Sequence, residues 1–447
     1  MRPCLLAAWL PLIIKASPSS AAGTTPIATV TTTTTTKTAT TATLHPPGPP
    51  MAPPLHLLDG TDALCLDGTP AGFYISRSTM SSDDTKWQIY LNGGAWCYNE
   101  FDCYNRSFEF LGSSATWADD PAAIEFLASS NGYMSSNCSL NPTTCNFNKV
   151  WVGYCDLTSF SGDRTEPIVV NGKSIWFRGK RNLERTLEAL VQQYGLADAT
   201  EVMLTGQSAG GQATILHTNL VQEYLARHAP SMHKFAAVPV SGFFIDIPNI
   251  NGMDVYESQI KYIFKLSNAS VDPGCIADHG QEERYKCMMA PYAYPYMKAR
   301  TYTINSALDS LHTSCALFSY GTEIPSVNCF FAPYAVASSS MNECLSVLRP
   351  PGNLTLCSEK DAAILTRYMK DFRSALATAR KGERRDNGAF IFDDYTHNLI
   401  NVNSRFTGIR AEGLTMSQAL NCWWHADSIA PTDLVDDGLE NTLSPPQ

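Results

Sequence analysis

A serine among small residues, Gly206-Gln207-Ser208-Ala209-Gly210-Gly211, is the segment best suited to covalent chemistry. A hydroxyl is a weak nucleophile until a base takes its proton, and a G-x-S-x-G turn between a strand and a helix is one way to expose it. The neighbours fit that arrangement: Glu201 to Thr205 reads as a strand and Gly210 to Arg227 as a helix. A side chain at Gly206 or Gly210 would collide with nearby backbone. The helix would aim its N–H groups and positive dipole end at the site. The competing interpretation is a Gly-rich packing turn without chemistry; the flanking strand and helix favour the reactive serine.

Such a serine needs a histidine as base and an acid to orient it, both later in the chain and in loops after strands. Acids so placed are Asp246, Asp309, Asp393 and Asp394. The downstream histidines are His217, His228, His233, His279, His312, His397 and His425, of which the last two lie near late elements. His397 follows the strand-like Ala389-Phe390-Ile391-Phe392, as the loop rule asks. His425 follows Trp423-Trp424 in a helical stretch from Thr415, and a histidine beside aromatics is commonly a core residue. Position favours His397 and leaves the acid open. N–H donors for a developing oxyanion are expected from Ala209 and from the Gly-rich Asn92-Gly93-Gly94-Ala95-Trp96, which alone would read as a tight turn. No C-x2-C pair and no H-E-x-x-H helix occurs, so neither a metal nor an organic cofactor is expected.

The elements that must hold these groups alternate. Trp87 to Leu91, Lys149 to Tyr154, Phe235 to Val240, Arg300 to Asn305 and Ala389 to Phe392 are short apolar runs. From Asn182 to Tyr194, Leu183, Leu187, Leu190 and Val191 share one helical face. Alternation of this kind predicts an α/β class with a largely parallel sheet and helices on both faces.

The chain has 447 residues, 44% hydrophobic and 17% charged, enough to build a large core. With 42 acids against 32 bases the net charge is −10, which argues against a nucleic-acid partner. No internal apolar run is long enough for a membrane-spanning helix. Residues 1–22 read as a signal peptide: Arg2, an apolar stretch from Cys4 to Ile14, then small residues to Ala22. Residues 23–56 read as an extended stalk or linker, because thirteen of the twenty residues from Thr24 to Thr43 are Thr and a Pro-rich run follows. The folded domain is expected over 57–439, with a polar tail at 440–447. Of 14 cysteines, Cys4 would leave with the signal; the remaining thirteen suit an oxidising, extracellular route. The close pairs Cys97/Cys103, Cys138/Cys145, Cys275/Cys287 and Cys344/Cys357 could staple loops, and the odd count leaves one thiol over. Sequons at Asn105, Asn137, Asn268 and Asn353 fit the same route.

Several motifs, taken together and in order, resemble the pectin acetylesterase / Notum family. They are Cys65-Leu66-Asp67-Gly68-Thr69, Leu91 to Cys97, Tyr154-Cys155-Asp156 with Phe160-Ser161-Gly162-Asp163, Ser208 to Gly211, and Ser241 to Asp246. The similarity runs from about Leu64 to Asp433. It implies an α/β-hydrolase-like fold, with a mostly parallel sheet flanked by helices and disulfide-stapled loops, and serine carboxylesterase activity. Asn305 to Ser310 is similar to the family's N-x-x-x-D-S segment, and Asn387 to His397 to the segment ending in its histidine. The resemblance thereby implies Ser208, Asp309 and His397 as the triad and Gly94, Ala95 and Ala209 as oxyanion donors. There are departures. Gln207 stands where plant members commonly have Cys, and Asp394 and Asn398 stand where cysteines flank the family's histidine. The Cys-rich C-terminus of plant members is missing.

The implied substrate is an acyl ester, foremost an acetyl ester on a carbohydrate polymer such as pectin. The alternatives are Notum-like removal of a fatty acyl group from a protein or lipid, and a catalytically inactive secreted glycoprotein that binds a glycan or lipid. Trp96 is the candidate pocket residue, although Trp is more often core. Loss of Arg2 and Lys15 with the signal would bring the charge to −12. Such a chain would repel polygalacturonate unless Arg178, Lys180, Arg181 or Arg380 to Arg385 form a basic patch.

Overall fold

The computed structural model describes residues 52–319, 344, 357–382, 384–398, 400–426 and 433–435. The expected signal peptide, most of the stalk, Asn353 and the polar tail lie outside the described residues. Nine strands form the main sheet in the order β1-β2-β4-β3-β7-β8-β9-β10-β13. They are β1 (Leu55–Leu57), β2 (Gly72–Ser76), β3 (Lys86–Leu91), β4 (Asn148–Val152), β7 (Glu201–Gln207), β8 (Lys234–Val240), β9 (Arg300–Ser306), β10 (Gly388–Phe392) and β13 (Asp433–Val435). Two hairpins, β5–β6 (Ile168–Val170, Lys173–Ile175) and β11–β12 (Arg410–Ala411, Leu414–Thr415), stand apart. The β1–β2 and β2–β4 pairs are antiparallel, and every other pair in the main sheet is parallel. This is the α/β-hydrolase-like class the motifs imply. All five residues of β4 and of β10 are buried, as expected of parallel strands covered on both faces.

Helices α1 (Glu100–Arg106), α2 (Pro121–Leu127), α3 (Gly179–Gln193) and α4 (Ala209–His228) frame the site. In α3 the buried side is Leu183, Leu187 and Leu190, the stripe read from the sequence. A 21-residue helix, Glu359–Ala379, has no counterpart in the sequence reading. It buries Ala362, Leu365, Met369, Phe372 and Leu376 and is capped by Ser358. The helix Met416–His425 begins with a capping box between Thr415 and Gln418.

Register brings the chemistry together. Leu91 pairs with Gly206, Gln207 with Val240, Val240 with Ile304, and Ser306 with Phe392. The C-terminal ends of β3, β7, β8, β9 and β10 are therefore level, and the segments leaving them meet at one edge of the sheet, where open α/β sheets bind ligands.

The four close cysteine pairs are all bridged, and Cys65–Cys155 adds a long-range bond spanning 90 residues. Cys315 and Cys422 are also disulfide-bonded, and no free cysteine occurs among the described residues. No helix among them is long and apolar enough to cross a membrane. Asn105, Asn137 and Asn268 are exposed.

Candidate active site

Ser208 sits between β7 and α4 with φ 63° and ψ −128°, a left-handed conformation that a non-glycine residue adopts only when its surroundings enforce it. The enforcement is backbone crowding. A Cβ at Gly206 would come within 2.3 Å of Gly210 O, and one at Gly210 within 2.0 Å of Leu91 O. Ser208 N–H donates to Val240 O (3.0 Å), tying the turn to the neighbouring strand.

Ser208 Oγ lies 2.7 Å from His397 Nε2, and His397 Nδ1 lies 2.8 Å from Asp309 Oδ2. All three are buried, at 8%, 3% and 2% exposure. Asp309 uses its other oxygen, Oδ1, to accept from Leu311 and His312 N–H (3.0 and 3.1 Å) at the start of a short helical turn. Its carboxylate is thus held by two amides and presents Oδ2 to the imidazole. This favours the tautomer with the proton on Nδ1 and the lone pair on Nε2 facing the serine. The histidine loop is held on its far side too: Ser241 Oγ donates to His397 O (2.8 Å), and Asp309 bridges Thr396 in parallel register.

The other candidate acids are engaged elsewhere. Asp393 pairs with Arg373 (2.5 Å) and Asp246 accepts from Tyr292 Oη (2.7 Å). Asp394 enters this region through its backbone, which accepts from Ser306 Oγ (2.6 Å). His425 is exposed at the end of its helix. His312, close to the acid, donates or accepts at Nδ1 with Tyr368 Oη (2.8 Å), and burial pushes its imidazole down to about 4, so the ring is neutral.

The segment Asn92 to Cys97 lies against the serine turn so closely that a Cβ at Gly93 would be 2.3 Å from Gln207 O. Gly94 and Ala95 have φ of 152° and 58°. Among the described residues, no hydrogen bond to protein is donated by the N–H of Gly94, Ala95 or Ala209. The carbonyls of this loop are gripped instead. Arg106 donates to Gly94 O (2.9 Å) and Trp96 O (3.0 Å), and Tyr154 Oη donates to Ala95 O (2.8 Å). The Cys97–Cys103 bond ties α1, which carries Arg106, to the same loop. Trp96 is buried (3% exposed), donates to Ser159 Oγ (2.7 Å) and packs edge-on to Phe244. It braces the loop and does not line the cavity at Ser208. Behind it, Asp156 accepts from Thr158, Phe160 and Gly162, in a turn where Leu157, Ser159 and Phe160 all have positive φ. Burial raises the Asp156 carboxyl above its ordinary value against these hydrogen bonds.

Arg106 escaped the sequence reading, since it belongs to no nucleophile–base–acid pattern and only its proximity to the Cys97/Cys103 pair hinted at it; Tyr154 stood in one of the motifs of the resemblance, but without its contact to Ala95 O. Two of the departures noted above touch. Gln207 Nε2 donates to Asn398 Oδ1 (2.8 Å), a hydrogen-bonded clasp across the serine and histidine loops.

A cavity of about 480 Å³ opens beside Ser208 and His397. Leu111, Leu311, Phe126 and Val402 give it apolar surface, and Asn131, Asn398, Asn401 and Glu125 give it polar surface.

Comparison with known proteins agrees with the motifs. The pectinacetylesterase family model matches residues 50–440. Pectin acetylesterase 5 of Arabidopsis thaliana is 28% identical over 381 residues, covering 84% of this chain and 79% of that protein. Palmitoleoyl-protein carboxylesterase NOTUM of Schmidtea mediterranea is 28% identical over 260 residues, 56% of this chain and 47% of its own. The Homo sapiens NOTUM is 26% identical over 264 residues, 57% of this chain and 50% of its own. The family match spans far more than half of the sequence, and the chain belongs to the pectinacetylesterase family of carboxylic ester hydrolases.

Proposed function

We propose that the protein is a secreted serine carboxylesterase that removes acetyl groups from a carbohydrate polymer through an acyl-enzyme. The observation that carries this reading is the continuous chain Ser208 Oγ to His397 Nε2 (2.7 Å) and His397 Nδ1 to Asp309 Oδ2 (2.8 Å). As His397 Nε2 takes the hydroxyl proton, Ser208 Oγ attacks the ester carbonyl and a tetrahedral oxyanion forms. The N–H groups of Gly94, Ala95 and Ala209 stabilise that oxyanion. His397 then gives the proton to the departing sugar oxygen, leaving an acetyl ester on Ser208. Water, deprotonated by the same nitrogen, attacks this ester and releases acetate, and the serine regains its proton. Asp309 keeps Nδ1 protonated and stabilises the imidazolium in both halves.

Acetyl over fatty acyl is supported by the burial of Trp96 and Phe244, which fill space beside the histidine. Both coverage and family description favour the pectin acetylesterase branch over NOTUM. The disulfides suit export to an oxidising compartment.

The test is hydrolysis of p-nitrophenyl acetate and octanoate by the wild type and Ser208→Ala. The reading predicts a preference for acetate and a loss of kcat on the order of 10⁴-fold or more in the variant. Equal rates in the two proteins would leave only the inactive binding protein.

A further inference from the structure

Between Phe392 and Asn398 the chain forms no helix or strand, and Thr396 is bridged to Asp309. A base carried on such a loop depends on the side chains around it to keep its place. Here they grip the residues on either side of His397. Arg405 Nη1 donates to Thr396 Oγ1 (2.8 Å) and to Asn398 O. Gln207 Nε2 donates to Asn398 Oδ1 (2.8 Å), and Gln207 Oε1 accepts from Ile400 N–H (3.4 Å). Gln207 ends β7 and adjoins Ser208, so a shift of the histidine loop away from the nucleophile must break these bonds.

The other side of the grip also leads back to β7. Arg405 lies in the short helix Asn403–Gly408, whose Asn403 Oδ1 accepts from Gly132 N–H (2.6 Å). Beside Gly132, Tyr133 donates its N–H to Ile400 O (3.0 Å), packs edge-on to Phe406 and shares a hydrogen bond with Thr205 Oγ1 (2.5 Å) of β7. Gln207 is 5% exposed and Thr396 3%, so both contacts with them are shielded from water. Hydrogen bonds donated by an ionised group, as from Arg405, are roughly twice as strong as neutral ones.

We propose that Arg405 and Gln207 are positioning residues of the esterase reaction, holding Thr396 and Asn398 so that His397 Nε2 stays at the Ser208 hydroxyl through both acyl transfers. The proposal rests on the esterase reading above and adds the parts that keep its base in line. In that reading one nitrogen takes the serine proton, gives it to the leaving oxygen, and repeats the cycle with water. A displacement of about 1 Å can cost on the order of a hundredfold in rate. Loosening the grip lowers turnover and leaves binding of a small ester in place.

The test is steady-state hydrolysis of p-nitrophenyl acetate, with urea midpoints, by the wild type, Gln207→Met, Asn398→Ala, the two combined, Arg405→Ala and Arg405→Lys. The expected result for Gln207→Met and Arg405→Ala is a fall in kcat on the order of ten- to a hundredfold, with KM within about twofold of the wild type. The combined variant should be no slower than the slower of its two parents by more than about twofold, because each parent breaks the same clasp. Arg405→Lys keeps a charge and a donor, and its kcat should lie between those of Arg405→Ala and the wild type. Asn398 is exposed, so Asn398→Ala still tests the clasp should Gln207→Met fail to fold. A kcat within about twofold of the wild type in Arg405→Ala or in both clasp variants would overturn the proposal, whatever happens to the urea midpoint. So would a rise in KM alone, or losses that multiply in the combined variant. Absence of nitrophenyl acetate turnover by the wild type would overturn the esterase reading itself, and this proposal with it.

Discussion

Ser208, Asp309 and His397 differ from other residues of their types in this chain by what surrounds them. Asp309 faces two amides and one imidazole, whereas Asp393 faces the Arg373 guanidinium and Asp246 a tyrosine hydroxyl. Asp309→Asn keeps the shape and the amide contacts but can turn an NH₂ towards His397, which stabilises the wrong tautomer. We expect kcat at neutral pH to fall by on the order of 10³- to 10⁴-fold with KM little altered, as read from steady-state hydrolysis of nitrophenyl acetate. A change of under tenfold would remove Asp309 from the proposed triad. Its identity was not legible from residue chemistry, because four aspartates follow strands and only the resemblance singled one out. The proposed nucleophile and base could be picked from residue chemistry because Ser208 sits in a patterned turn and His397 directly follows a strand. The task shared by Arg106 and Tyr154 was invisible, since both hold carbonyls of a loop whose path appears only in three dimensions.

At the scale of elements, the parallel strands were readable as continuous apolar runs because both of their faces are covered. Edge elements were not. The β5–β6 hairpin turns at Asn171-Gly172 with φ of 49° and 79°, an Asn-Gly signal flanked by short, weakly patterned strands. The helix Glu359–Ala379 was missed although Ala362, Leu365, Met369, Phe372 and Leu376 follow a helical spacing. Its exposed face is rich in charge, and no Pro or Gly marks where it begins. The serine turn is the element on which placement depends most. Gly210→Ala puts a Cβ 2.0 Å from Leu91 O, a backbone atom that cannot yield without moving the donor loop. We predict a loss of about 3 kcal/mol or more of stability, seen as a lower urea midpoint, together with loss of esterase activity in whatever folds. A variant with wild-type midpoint and activity would show that the crowding is not as described.

For the whole molecule, stability is coupled to pH through buried imidazoles. His217 lies inside the fold against Ser159 O (3.1 Å) and Ser161 Oγ (3.2 Å), and burial pushes its pKa down to about 4. The unfolded chain binds that proton near 6.5, so the contribution is full above pH 6.5 and is lost as pH falls towards about 4. From pH 6.5 to 5 the wild type should lose about 2 kcal/mol more than His217→Gln, which cannot take up the proton. Urea unfolding at the two pH values checks this, and parallel losses would contradict it. The disulfides add a second dependence. Cys65–Cys155 closes a 90-residue separation and ties the segment before β2 to the turn behind the donor loop, so its removal should cost about 2–5 kcal/mol.

The central claim is that one alcohol in this protein is made nucleophilic by a histidine 189 positions later. Covalent trapping reads that directly: the protein is treated with a fluorophosphonate and its peptides are weighed. The account predicts a single adduct on the peptide carrying Ser208, forming rapidly in the wild type and failing to form in His397→Ala. An adduct elsewhere with Ser208 unmodified, or labelling of Ser208 at the same rate without His397, would contradict it.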